Sequence, residues 1–301
     1  MPEPSAKPPV AAIAALLGLV VIWGLSIPLT KLALVSIPPL TLTALRYLVA
    51  APFFALVLLG RPLPTGRVLW KMALLGLLGM GVGQEMQVLA VQRVSASVAT
   101  LISASIPILT VILATWRLGQ RIRPWHALGL ATALGGIFLV AYVPDTGAPG
   151  LAASVLAGDA MALVSSVAVA GYYVFSAELA IAEGVVPVAA WGSLFGTLVL
   201  LPGATWEMAT RHIAPSPTAW AVVLYLGLLV TVLGIWVWLR ALQTLPARIA
   251  ASSQYLQPLI GIAASAVLFG DTLGSRFAAG TALVFVGIGL SAFTRRQRTA
   301  R

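Results

Sequence analysis

A chain of 301 residues that is 60% hydrophobic and only 9% charged cannot cover a water-facing surface of its size, because soluble domains average about a quarter charged residues. Its mean hydropathy of +1.01 places most of it against lipid, where apolar runs of about 20 residues cross as helices. The net charge of +10 then marks membrane-flanking loops and no nucleic-acid face, and the absence of cysteine excludes disulfides and thiolate metal sites.

The tail MPEPSAKPP is short and Pro-rich. The apolar run behind it lacks a small-residue cleavage site, so it reads as a retained first helix. Breaks at Pro, Gly and charge clusters leave ten helices, over roughly 10–31, 39–60, 69–92, 96–117, 124–143, 157–181, 187–203, 217–240, 247–269 and 275–294. Pro39, Pro124, Pro187 and Pro217 fall at or just inside helix starts, where a missing N–H costs nothing.

The basic residues orient these helices. With both termini cytoplasmic, Lys7, Arg61, Arg67, Lys71, Arg117, Arg121, Arg123, Arg240, Arg248, Arg295, Arg296, Arg298 and Arg301 lie inside. Lys31, Arg46, Arg93, Arg211 and Arg276 lie in the outer half or outside. That excess is the positive-inside pattern.

The chain repeats itself. Pro107 matches Pro258, and at the same ungapped offset LGLL at 75–78 meets LGLL at 226–229. Gly119 meets Gly270, Gly129 meets Gly280, and Gly136-Ile137 meets Gly287-Ile288. Earlier in each half, WGLSIPLTKLA at 23–33 lines up with AGYYVFSAELA at 170–180. The expectation is an all-α integral membrane protein of two five-helix units, 1–150 and 151–301. Five is odd, so the second unit enters from the opposite side. Such inverted repeats build alternating-access transporters.

The stretch WGLSIPLTKLALVSIPPLTLTALRYLVAAP, the Pro-centred fourth and ninth helices and the duplication together resemble the EamA type of the drug/metabolite transporter superfamily, over nearly the whole chain. The resemblance implies ten helices, inside termini, and a central cavity lined by helices 1, 3, 4, 6, 8 and 9. Within that superfamily the chain is most similar to amino-acid exporters of the YddG type. Trp23 and Lys31 meet Ala170 and Glu178 in the second copy, so site residues do not transfer between halves.

The residues themselves place chemistry near the midplane. Pro107 and Pro258 each remove an N–H and free the carbonyl four residues back, those of Ser103 and Gln254. Free backbone at that depth survives only where protein or a cavity satisfies it; a plain kink is the alternative. Gln254 and Gln257 share a face of the ninth helix, and Ser103 is a polar counterpart in the fourth. In the third helix, Gln84, Glu85 and Gln87 interrupt an apolar run. A carboxyl there faces the bundle interior, to meet a substrate amine, a proton, or a partner such as Lys31 or Arg46. Gly79 and Gly83 form a GxxxG of the kind that packs helices.

The repeat replaces QEMQ by IWVW: Trp236 stands where Glu85 stands, and Trp238 where Gln87 stands. One polar and one aromatic wall suit a ligand with a charged head and an apolar tail. Of the two tryptophans, Trp238 is the nearer to a cytoplasmic interfacial belt. Tyr172 and Tyr173 of helix 6 lie deep enough to need hydroxyl partners, and Trp23 is the matching aromatic of helix 1. Lys31 and Glu178, at opposite faces, are gate or coupling residues or simply solvated helix ends. Arg46 stands alone in helix 2, as a structural salt bridge or carbonyl cap. The stretch 280–293 carries small residues for a scaffold contact or a dimer face.

The expected function is a secondary transporter in a bacterial inner membrane, exporting small metabolites and above all amino acids, aromatic ones included. Another small metabolite or a drug-like cation is the alternative substrate. An enzyme is not expected: Asp145, Asp159 and Asp271 are scattered, and neither histidine has a nucleophile beside it in sequence. Neither a cofactor nor a metal is expected. The expected partners are an amino-acid-like substrate and the bilayer, with the chain a monomer or weak homodimer.

Overall fold

The computed structural model describes residues 10–117, 124–141, 149–245, 253–271 and 274–292. Their regular structure is all helical, without a strand among the described residues. Seven helices are long and apolar enough to cross a membrane: α1 (Val10–Ala33), α2 (Pro39–Leu58), α3 (Gly66–Arg93), α4 (Ala96–Arg117), α6 (Ala153–Glu183), α7 (Val185–Thr210) and α8 (Pro217–Ala241). Three further apolar helices are α5 (Pro124–Ala141), α9 (Leu256–Phe269) and α10 (Ser275–Ala292). Lys7, Arg121, Arg123, Arg248, Arg295, Arg296, Arg298, Arg301, Asp145 and Gly119 lie outside the described residues, as does the first part of the expected 247–269 helix.

Helix ends follow their capping chemistry. Ser95 accepts from the Val98 N–H and Ser216 from the Ala219 N–H, which fixes the starts of α4 and α8. Two helices outrun the sequence expectation. The helix containing α6 begins at Pro149, and α7 continues to Thr210. Glu207 explains the second extension. It is buried in the last turn of α7, and its Oε2 accepts the Thr41 backbone N–H at 2.9 Å and the Thr41 hydroxyl at 3.0 Å. A carboxylate thus caps the N-terminus of α2, where the helix dipole favours it. Glu207→Gln is expected to cost about 1–3 kcal/mol, the range for spoiling a buried hydrogen-bonded charge, read as a lower unfolding midpoint in detergent.

Close approaches at glycine set the packing. A Cβ on Gly76 would lie 2.5 Å from the Gly192 carbonyl, and one on Gly227 would lie 2.9 Å from that of Arg46. So α3 packs on α7 while its repeat mate α8 packs on α2. The same reciprocity joins α5 to α10. Gly136 abuts the Gly280 carbonyl, and Gly287 abuts the Gly129 carbonyl. The two helices therefore run antiparallel. This stripe of α10 is spent on α5, which makes it a scaffold contact.

Helices α3 and α8 are each interrupted by a π-helical segment, Leu77–Gln84 and Tyr225–Leu233. A π turn holds an extra residue and loosens the carbonyl ladder. Side chains from α6 and α1 satisfy it. The Ser165 hydroxyl donates to the Gly83 carbonyl at 2.7 Å, and the Trp23 indole N–H donates to the Val230 carbonyl at 2.9 Å. Helix continuity is lost near both prolines: α4 is broken at Ala104–Ser105, just before Pro107, and α9 begins at Leu256, just before Pro258. The free carbonyl expected at Gln254 is not found, because it accepts the Gln257 N–H at 3.2 Å. A tight turn recovers the bond that proline removed from the regular ladder.

Candidate functional site

Arg46 of α2 is the centre of the polar interior. Its Nε donates to the Thr231 hydroxyl at 3.0 Å and its Nη1 to the Gln84 Oε1 at 2.9 Å. Gln84 closes the π segment of α3, and Thr231 lies in that of α8. One guanidinium therefore ties the two π segments together. It also stands 5.3 Å from the centre of the Tyr47 ring. The expected salt bridge or carbonyl cap is absent: both partners are neutral side-chain oxygens. Two of the five guanidinium N–H groups are used, and no carboxylate pairs with the cation among the described residues.

Aromatic groups surround this cation. Tyr172 packs with Tyr47, and its ring lies 5.9 Å from that of Tyr173. Tyr172 sits so close to Gly79 that a Cβ there would approach its ring to 2.7 Å, while Gly83 meets Val169. The GxxxG of α3 is thus a packing surface for α6. Tyr173 is 51% exposed yet lies within electrostatic reach of Arg46 and Tyr47. The expected hydroxyl partners are not found for either tyrosine among the described residues.

The remaining expected residues fall into smaller groups. Gln87 donates to the Ser103 hydroxyl at 3.3 Å, which in turn donates to the Ala99 carbonyl at 2.9 Å. The Gln257 amide donates to the Gln254 side-chain oxygen, and the Gln254 amide nitrogen is buried without a partner among the described residues. The rings of Trp23 and Trp238 lie 5.7 Å apart, tilted at 48°. Trp236, two residues away, is 64% exposed. The expected order of the tryptophans is therefore reversed, because two residues along a helix turn a side chain to nearly the opposite face.

Glu85 meets neither Lys31 nor Arg46. It is 4% exposed, and among the described residues the Thr43 hydroxyl is the side chain placed to hydrogen-bond its carboxyl. Thr43 and Glu207 are its polar neighbours. The Thr43 hydroxyl is already donated to the Pro39 carbonyl at 2.9 Å. Lys31 instead donates to the Val94 carbonyl, near Asp271. Glu178 pairs with Arg117 at 2.9 Å on an exposed surface. Lys31 and Glu178 thus lie at helix ends, remote from the Arg46 cluster.

The sequence singled out Gln84, Tyr172 and Tyr173, left Arg46 as a salt bridge or carbonyl cap, and did not single out Tyr47 or Thr231. The signal for Arg46 was its isolation, since a lone cation in a membrane helix marks a functional interior. Nothing in the sequence pointed to Thr231, whose role follows from the π turn.

Fold and site together define a polytopic helical membrane protein with a charged, aromatic-lined centre. The EamA-like transporter family matches residues 10–142 and again residues 156–293, and the chain belongs to that family. It is 27% identical over 297 residues to a "probable amino-acid metabolite efflux pump" of Salmonella typhimurium, covering 94% of this chain and 95% of that one. It is 29% identical over 283 residues to a "probable terminal-alkyne amino-acid exporter" of Streptantibioticus cattleyicolor, covering 92% of each. A solved crystal structure with 20% identity shares the fold at a TM-score of 0.62, covering 94% of this chain and 96% of that one.

Proposed function

We propose that this chain is an alternating-access exporter of amino acids in a bacterial inner membrane, and that Arg46 holds the substrate carboxylate. The observation that carries this reading is the bridge from Arg46 to Gln84 and Thr231. A cation without a countercharge in a membrane interior is costly. A substrate carboxylate supplies the countercharge and takes the unused N–H groups in a forked pair. Tyr47, Tyr172 and Tyr173 then offer an aromatic wall for the side chain.

The ten-helix architecture of two inverted units, 1–150 and 151–301 with both termini inside, belongs to the same proposal. It draws support from the two matched stretches, the mated π segments and the antiparallel crossing of α5 on α10. Of the other expected substrate contacts, Gln84 holds Arg46 in place, while Gln87–Ser103 and Gln254–Gln257 form polar edges on α3, α4 and α9. Trp23 with Trp238 forms the aromatic edge towards α8. The exporter names of the relatives support the direction and the substrate class.

The test is counterflow into proteoliposomes with labelled Phe, Trp, Met and Thr. Uptake of at least one, with Phe or Trp favoured, is the expected result. No counterflow of any of the four, with counterflow of a quaternary amine or a nucleotide sugar, would overturn the substrate class.

A further inference from the structure

We propose that a cavity between the α2–α3 and α6–α7 connections binds the headgroup of a zwitterionic phospholipid of the phosphatidylethanolamine type, with the phosphate on Arg61 and the primary ammonium on Glu183. The cavity begins at Leu58 of α2, about 18 Å along that helix from Arg46 at 1.5 Å per residue. It is therefore a second site, and it does not depend on the exporter reading.

The two connections enclose a cavity of about 360 Å³, large enough for a small polar ligand. Arg61 and Thr65 line one side of it, and Glu183, Pro187 and Trp191 the other. The Arg61 Nε donates to the Val57 carbonyl at 3.0 Å. That bond folds the guanidinium back over the last turn of α2 and leaves both Nη groups without a protein partner among the described residues. Thr65 stands before the first turn of α3, but its side chain caps no N–H there. Glu183 makes no side-chain hydrogen bond or ion pair among the described residues. Opposite charges thus line one cavity without closing on each other. An anion alone would answer Arg61 and be repelled by Glu183, and a cation alone the reverse. A ligand that carries both charges satisfies both walls.

The surroundings point to a lipid and not to a soluble metabolite. Arg61 stands between Leu59, 73% exposed, and Leu63, 77% exposed. At the end of a membrane-crossing helix such leucines enter the acyl boundary and hold the connection at headgroup level. Trp70 of α3 is exposed on the first turns beyond the cavity, and Trp191 lines the cavity itself. Tryptophans at helix ends mark the membrane–water interface. The Trp191 ring is stacked on Phe195 at 5.7 Å, which makes it a fixed wall. Charged pockets at that level take phospholipid headgroups. The Arg61 fork suits a phosphate, and the Thr65 hydroxyl adds a donor. Glu183 accepts from the N–H groups of a primary ammonium. A choline headgroup has no N–H to give it, and a glycerol headgroup has no cation, so the pair of walls selects ethanolamine.

The experiment is native mass spectrometry of the full-length protein released from bilayers of equimolar phosphatidylethanolamine, phosphatidylcholine and phosphatidylglycerol. Retention of phosphatidylethanolamine above the other two is expected. Arg61→Gln should weaken that retention roughly fivefold, the scale of a part-exposed charge pair. Glu183→Gln should keep phospholipid bound but lose the preference for phosphatidylethanolamine over phosphatidylglycerol. Arg67→Gln removes the same charge from an exposed position that does not line the cavity, and should change nothing. Unchanged elution in size-exclusion chromatography shows that each variant is folded. Equal retention of the three lipids in the wild type would overturn the proposal, as would an unchanged preference in Glu183→Gln. A loss in Arg67→Gln as large as in Arg61→Gln would reduce the effect to diffuse attraction by a basic face and overturn the site. Release of the retained lipid by added phenylalanine would also overturn it, and would give the cavity to the substrate.

Discussion

Arg46→Gln is expected to abolish amino-acid counterflow while leaving the protein folded. Removing one partner of a buried, hydrogen-bonded charge pair costs about 2–5 kcal/mol of binding, or roughly thirty- to several-thousandfold in affinity. Glutamine keeps some hydrogen-bonding capacity but no charge for the substrate carboxylate. The effect on stability has the opposite sign. Among the described residues the cation has Gln84, Thr231 and the Tyr47 ring as partners and no carboxylate, so its removal relieves the cost of an uncompensated buried charge. Lost transport with an unchanged or higher unfolding midpoint is therefore the signature of a binding residue. A residue that merely tied α3 to α8 would lose both together. Arg46→Lys keeps the charge but not the fork, and is expected to bind substrate with intermediate affinity.

The second large effect falls on the scaffold. Gly287→Ala places a Cβ 2.4 Å from the Gly129 carbonyl and 2.5 Å from the Ala133 nitrogen. Both are backbone atoms of α5, which cannot rotate away. The expected destabilisation is about 1–3 kcal/mol, the usual range for overpacking. Gly289→Ala, on the same helix with nothing within 4 Å of its Cβ, is the control. It should be neutral or gain up to about 1 kcal/mol, because glycine weakens a helix interior relative to alanine. The check is thermal unfolding of the two variants in one detergent. Equal midpoints would contradict the close antiparallel contact of α5 with α10.

The membrane character and most helix positions were legible because lipid leaves the backbone little choice but helix, and long apolar runs report that directly. The GxxxG of α3 was read correctly for the same kind of reason, since small residues at that spacing let helices approach. The details of the centre were harder to read. The π segments leave no trace in hydropathy. Without them the pairing of Gln84 with Thr231 through Arg46 does not follow from an α-helical wheel. The overlong α7 depended on one carboxylate, Glu207, reaching a helix start 166 positions earlier. Glu85 was the reverse case: its oddness in an apolar run was plain, while its freedom from both Lys31 and Arg46 required the fold.

The most direct test of the central claim is competition against labelled phenylalanine in counterflow, with unlabelled phenylalanine, its amide and phenylpyruvate as competitors. If Arg46 holds the substrate carboxylate, the two acids compete, while the amide is weaker by roughly tenfold or more, as expected when a charged hydrogen-bonded pair becomes a neutral one. Competition by the amide as strong as that by phenylalanine would contradict the account.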